Sequence, residues 1–159
     1  MKIYIIGFMG CGKSTLGKEL ASVLELPFFD LDQEIEHNEN RTISEIFRTF
    51  GEIYFRQKET IILSELTSAG VYATGGGIII SETNQKLLRQ RADCIVWLNT
   101  DWHLIWQRIG SSTRPLILNN SLSQLKELYR QRLPLYQKLA DIVYHGNDLN
   151  GIIEKIKAR

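Results

Sequence analysis

The sequence predicts a three-layer α/β fold, a five-stranded parallel sheet with helices on both faces. Three observations carry that expectation. Short apolar runs alternate with stretches of helical period along the chain. The first apolar run passes into a glycine-rich segment that leads straight into a helix, Gly7-Phe8-Met9-Gly10-Cys11-Gly12-Lys13-Ser14. No repeat, low-complexity tract or Pro/Gly/Ser linker divides the 159 residues, so 1–159 is expected to form one unit.

The elements follow in order. Residues 2–6 form an apolar strand, and 13–25 a helix with Leu16, Leu20, Val23 and Leu24 on one stripe. A second strand over 27–30 ends in an acid, Asp30. Short helices are expected over 31–39 and 43–50, the latter starting near Thr42 or Ile43, then a longer one over 52–69 bearing Phe55, Ile62, Leu66 and Ala69. Gly70 is expected to stop that helix, and 71–74 to form a strand running into Gly75-Gly76-Gly77. Ser81 is a candidate cap for a helix to about Arg91, and Asp101 for one to about Ile109, with a strand over 94–98 between them. The polar, weakly periodic stretch 110–123 is expected to be a mobile lid. A long helix interrupted near Pro134, a strand over 142–145 and a terminal helix complete the pattern. Ligands of such parallel sheets sit at the carboxyl ends of the strands.

Composition narrows the function. Hydrophobic residues are 43% and charged residues 23%, a globular balance, and a net charge of +1 excludes a nucleic-acid binder working by bulk charge. Two cysteines without CxxC or Cys/His spacing exclude a disulfide framework and a structural zinc site. No apolar run approaches membrane-spanning length and no cleavable leader is recognisable, which predicts a cytoplasmic protein. Charge is nonetheless uneven. Residues 25–65 hold ten acidic and four basic side chains, and 108–138 six basic and one acidic. That pattern fits solvated helical faces, or a basic flap meeting an anionic ligand.

The G-x₄-G-K-S spacing is a P-loop and makes the expected fold a three-layer P-loop NTPase fold. Its backbone N–H groups can turn around phosphate oxygens, the helix N-terminus adds its dipole, Lys13 reaches the terminal phosphates, and the Ser14 hydroxyl is placed for Mg²⁺. An Asn-Lys-x-Asp segment, needed by a GTPase, is missing, and the strand at 71–74 ends without a Walker-B acid. Asp30 is therefore the candidate for the metal-side carboxylate, although Asp30 and Asp32 also suit turn and cap duty.

Taken in order, Gly-Phe-Met-Gly-Cys-Gly-Lys-Ser-Thr, Phe29-Asp30-Leu31-Asp32, Gly51-Glu52-x-x-Phe55-Arg56-x-x-Glu59, Gly75-Gly76-Gly77, Arg114-Pro115-Leu116 and Arg132-Leu133-Pro134-Leu135-Tyr136 resemble the shikimate kinase family. The resemblance runs from residue 3 to about residue 144. It implies transfer of the γ-phosphoryl of MgATP to the 3-hydroxyl of shikimate, in chorismate and aromatic amino-acid biosynthesis, by a monomer that binds small molecules and neither nucleic acid nor membrane. Gly10, Cys11, Gly12, Lys13, Ser14 and Thr15 are implied to hold ATP, with Arg108 stacking on adenine and the lid residue Arg114 swinging onto the transferred phosphate. Ser14 and Asp30 are implied to hold Mg²⁺. Asp32 is implied to bind the acceptor hydroxyls and take the proton, Arg56 and Arg132 to grip the carboxylate, and Gly75, Gly76 and Gly77 to line the acceptor, Gly76 through its N–H. Catalysis falls to Lys13, Asp32 and Arg114.

Plainer readings exist for several of these. Glu52, Arg56 and Glu59 lie at i, i+4 and i+7 and could form a surface ion-pair ladder. Arg108 could be a helix C-terminal cation, and the Cys11 thiol a small filler. Trp97, Trp102 and Trp106 read as packing residues, as do His37, His103 and His145. The stretch 145–148, where an adenine-contacting loop is expected, is the weakest match. Other small-metabolite or nucleotide kinases, of gluconate or adenylate kinase type, and a nucleotide-dependent binding module are the rival functions.

Overall fold

The computed structural model describes residues 1–110, 112 and 115–159. Lid residues Ser111, Thr113 and Arg114 fall outside the described residues. The strands are β1 (Lys2–Ile6), β2 (Phe28–Asp30), β3 (Gly70–Ala73), β4 (Cys94–Leu98) and β5 (Ile142–Tyr144). They form one sheet in the order β2-β3-β1-β4-β5, every neighbouring pair parallel. Side chains of a strand alternate between faces, yet Ile3 to Ile6, all of β3 and all of β4 are buried. Both faces of the central sheet are therefore covered, as its unbroken apolar runs require.

The covering helices are α1 (Lys13–Leu24), α2 (Leu31–Glu39), α3 (Ile43–Glu65), α4 (Glu82–Arg91), α5 (Trp102–Ile109), α6 (Pro115–Leu118), α7 (Leu122–Leu139) and α8 (Leu149–Lys157). Among the described residues none is long and apolar enough to cross a membrane. Side-chain caps start several of them. Thr42 and Glu45 form a reciprocal capping box at α3, Ser121 and Gln124 another at α7, and Ser81 accepts from the Asn84 N–H at α4. Asp101 precedes α5 without a capping bond from its side chain.

The two helices expected on either side of Gly51 are present, meeting end to end as α3 at the non-helical backbone of Gly51 (φ 83°, ψ 174°). The structure departs from the sequence reading in four places. The second part of α3 stops at Glu65 rather than near residue 69, and Gly70 opens β3 instead of ending a helix, because a Cβ there would lie 2.8 Å from the Phe29 ring. Ile78–Ile80 form a 3-10 turn. The lid stretch contains the short helix α6, and α7 begins within its expected range, at Leu122. Finally, α7 runs without interruption through Pro134. Pro134 is exposed, and so is Arg130, whose carbonyl loses its partner N–H. Leu125, Arg132, Tyr136 and Leu139 meanwhile stay buried along one face, so packing holds the helix together.

Candidate active site

Every strand delivers its successor to the same end of the sheet. β1 runs into the glycine-rich loop, where Gly10 (φ 75°) and Gly12 (φ 104°) take left-handed conformations that side chains resist. Two side chains from elsewhere clamp this loop from outside. The Thr100 hydroxyl donates to the Cys11 carbonyl at 3.1 Å, and Arg108 Nη1 donates to the carbonyls of Cys11 and Gly10 at 2.8 and 3.2 Å. Lys13 is buried, its Nζ donating to the Gly7 and Phe8 carbonyls at 2.9 Å each. The ammonium thus spans the loop that it closes. The Cys11 thiol is buried within the loop, in the filler position expected of it.

β2 ends at Asp30, and that carboxylate does two things at once. One oxygen accepts the Asp32 N–H at 3.1 Å, capping α2, and the other accepts the Ser14 hydroxyl at 2.6 Å. Cap duty and a place beside Ser14 are both real, so the two readings of Asp30 do not compete. Among the described residues, no group of three or more His, Cys, Asp or Glu side chains could hold a metal. A hydroxyl and one carboxylate suit Mg²⁺, which takes few protein ligands and completes its shell with phosphate oxygens and water.

β3 continues through Thr74, whose hydroxyl donates to the Ile5 carbonyl at 2.9 Å, into the three glycines. Gly75 and Gly77 each fit against a functional side chain, and Gly76 against the backbone of the phosphate loop. A Cβ on Gly75 would strike the Glu59 carboxylate, one on Gly76 would lie 2.9 Å from the Met9 backbone nitrogen, and one on Gly77 would lie 2.5 Å from Arg56 Nη1. The Gly76 carbonyl accepts the Tyr136 hydroxyl at 2.6 Å and Arg132 Nη1 at 3.3 Å.

α3 and α7 supply the charges. Arg56 pairs with Glu52 at 3.1 Å and Glu59 at 2.6 Å, so the i, i+4, i+7 ladder forms, but it runs inward from the surface: Glu52 is exposed, Arg56 half-buried and Glu59 only 1% exposed. Burial pushes the Glu59 carboxyl up to about 7, a rise that Arg56 only partly opposes. For Arg56, burial works against the cation, yet Glu59 and Glu52 outweigh it and hold its pKa above the ordinary value. Arg132 is 3% exposed, with its guanidinium carbon 5.4 Å from the centre of the Phe8 ring and its Nε unpartnered. Burial first, then the neighbouring Arg56 cation, moves its pKa down. Two arginines distant in sequence therefore face one cavity, Arg56 held by Glu52 and Glu59 and Arg132 without a carboxylate partner among the described residues, which suits an incoming carboxylate.

Two cavities result. The larger, of about 770 Å³, is bounded by Asp32, Arg56, Glu59, the three glycines and Arg132, with Phe47, Phe55 and Leu116 as apolar walls. The smaller, of about 270 Å³, is bounded by Gly10, Gly12, Lys13, Ser14, Thr15 and Arg108. Ser14, Asp30, Asp32 and Gly76 border both, so a group held in one cavity abuts a group held in the other. The structure thus brings together the described site residues expected from sequence, with Cys11 lending its backbone, and only Arg114 lies outside the described residues. Sequence reasoning assigned no function to Glu59, Met9, Phe47, Thr100 or Tyr136. Glu59 had a signal: it falls at i+4 from Phe55 and i−3 from Ile62, a carboxylate on an apolar stripe.

A phosphate-binding loop at the end of the central strand, abutting a second cavity lined by two arginines, defines a P-loop protein of the small-molecule kinase type. Comparison with known proteins narrows the class. The family model described as Shikimate kinase matches residues 9–159. A curated shikimate kinase of Acinetobacter baumannii is 42% identical over 149 residues, covering 91% of this chain and 82% of that protein. One of Aromatoleum aromaticum is 36% identical over 163 residues, covering 99% and 93%. Among solved structures, shikimate kinase from Acinetobacter baumannii in complex with shikimate superposes with a TM-score of 0.88 at 38% identity, covering 98% of this chain and 90% of that one. That of Aquifex aeolicus gives 0.84 at 32% identity, covering 99% and 95%. The chain belongs to the shikimate kinase family.

Proposed function

We propose that this protein is a shikimate kinase, transferring the γ-phosphoryl group of ATP to the 3-hydroxyl of shikimate to give shikimate 3-phosphate and ADP, a step toward chorismate. The observation that carries the reading is the junction of the two cavities. A phosphate loop borders one, the half-buried Arg56 and the buried Arg132 border the other, and Asp32 stands at their shared edge. Arg56 and Arg132 bind the carboxylate, and the glycine turn offers backbone N–H groups beside them. Asp32 takes the proton of the 3-hydroxyl as its oxygen bonds to the γ-phosphorus. The bond from that phosphorus to the β–γ bridging oxygen breaks, and ADP leaves with the electron pair. Lys13 and the loop N–H groups balance the phosphate charge, which is most of what phosphoryl transfer asks of a protein.

Ser14 and Asp30 hold Mg²⁺, which when bound neutralises phosphate charge. Arg114, carried by the lid at 110–123, reaches the transferred group, and the closed lid keeps water from competing as acceptor. Arg108 clamps the loop through Nη1, and its exposed position at the mouth of the smaller cavity leaves its outer face for adenine. The protein acts as a monomeric single unit in the cytoplasm, where ATP is supplied, on small molecules alone. A coupled ADP-release assay over an acceptor panel tests the assignment. Turnover with shikimate, and none with gluconate or AMP, is expected. Turnover with another acceptor in its place overturns the substrate, and absence of turnover with every acceptor leaves a nucleotide-binding module.

A further inference from the structure

The peptide joining Gly76 to Gly77 borders the acceptor cavity, and its carbonyl is held by α7. Tyr136 donates to it at 2.6 Å, and Arg132 Nη1 at the longer distance of 3.3 Å. Tyr136 is 1% exposed, with its ring stacked 6.0 Å from that of Trp97. Burial raises its pKa, so the phenol remains a neutral donor. A trans peptide is planar, so the Gly77 N–H points opposite to the carbonyl, away from α7. Among the described residues neither that N–H nor the Gly76 N–H has an acceptor. A carbonyl withdrawn from water needs at least one partner, and this half-buried one has two.

We propose that Tyr136 is a positioning residue of the acceptor site: its hydroxyl satisfies the Gly76 carbonyl, which frees Arg132 to turn to the substrate carboxylate and keeps the Gly77 N–H facing away from α7. This rests on the shikimate reading above. Without the hydroxyl, Arg132 becomes the sole side-chain donor to the half-buried Gly76 carbonyl, and binding a carboxylate must pull it away.

Tyr136→Phe removes one hydroxyl and leaves the ring. KM for shikimate should rise about tenfold, the worth of one such hydrogen bond. KM for ATP and kcat should stay within about twofold, a split that simple loss of packing does not produce. With the alcohol analogue of shikimate, which lacks the carboxylate, the variant and the wild type should perform alike. Equal losses on both acceptors, or an unchanged KM for shikimate, overturn the proposal. A wild-type enzyme inactive on shikimate instead overturns the functional reading on which it rests. Should the variant fail to fold, the wild type carries the test by NMR. The Tyr136 hydroxyl proton should exchange slowly both with and without shikimate, and faster exchange in the complex overturns the role.

Discussion

Glu59 and Arg132 are buried and Arg56 half-buried in one cavity wall, and the charge balance of this group shifts with pH. The folded-state pKa of Glu59, about 7, lies above the ordinary 4.5, so the native protein binds its proton more tightly than the unfolded chain does. The stability contributed by that proton is complete below pH 4.5 and is lost as pH rises through 7. The loss is on the order of 3 kcal/mol across the window. The denaturation midpoint should therefore fall less steeply between pH 5 and 8 in Glu59→Gln than in the wild type; parallel profiles would show that Glu59 titrates normally. Arg56→Ala and Arg132→Ala should each weaken use of shikimate by roughly 2–4 kcal/mol. The alcohol analogue should lose little in either variant or in the pair combined, as kcat/KM on both acceptors will report. Arg56→Ala should also destabilise the protein more at pH 8 than at pH 5, because it strands the Glu59 carboxylate. The identities of these residues were legible in sequence through their motifs, but burial was not. A ladder of Glu52, Arg56 and Glu59 has the same spacing on a surface as in a cavity wall, and only α7 and the glycine turn closing over it decide which it is.

Among elements, α3 shows how far local pattern reaches. Sequence placed a break between residues 50 and 52, and the structure bends there, at Gly51, which opens a family motif. Nothing lies within 4 Å of a Cβ built on Gly51, so packing does not demand glycine; the positive φ does. The bend joins two parts of the larger cavity's wall, Phe47 before it and Phe55 and Arg56 after it. Gly51→Ala should cost about 1–3 kcal/mol in stability, the price of a strained backbone, and should raise KM for shikimate without changing KM for ATP. Unaltered denaturation and kinetics would mean that alanine adopts the bend freely. α7 teaches the opposite lesson. Proline argued for a break that tertiary packing of Arg132, Tyr136 and Leu139 overrode, and the Ser121/Gln124 capping box, readable as Ser-x-x-Gln, marked the start more reliably than polarity did.

For the whole molecule, the two cavities share an edge but few walls, so their ligands should be separable. Lys13→Ala should lower kcat by at least about a hundredfold, since no second lysine borders the smaller cavity. The thermal shift given by shikimate should persist in that variant while that given by ATP shrinks. Loss of both shifts would mean that Lys13, buried against the Gly7 and Phe8 carbonyls, is needed to keep the loop folded rather than to meet phosphate. Sequence does not disclose that this loop folds inward.

The position of β1 has a consequence for how the protein is made. It leaves the ribosome before the other strands of this sheet and lies third in it, with neighbours that end at Ala73 and Leu98. The clamps on its loop come later still, from Thr100 and Arg108. A growing chain thus carries its nucleotide-binding signature before it has the means to shape it, because pairings so distant along the chain close slowly. Nascent chains arrested before residue 94 should be unable to retain ATP, and those extended beyond residue 108 should gain that ability abruptly. A segment synthesised before all its partners in the sheet would then be among the last to work.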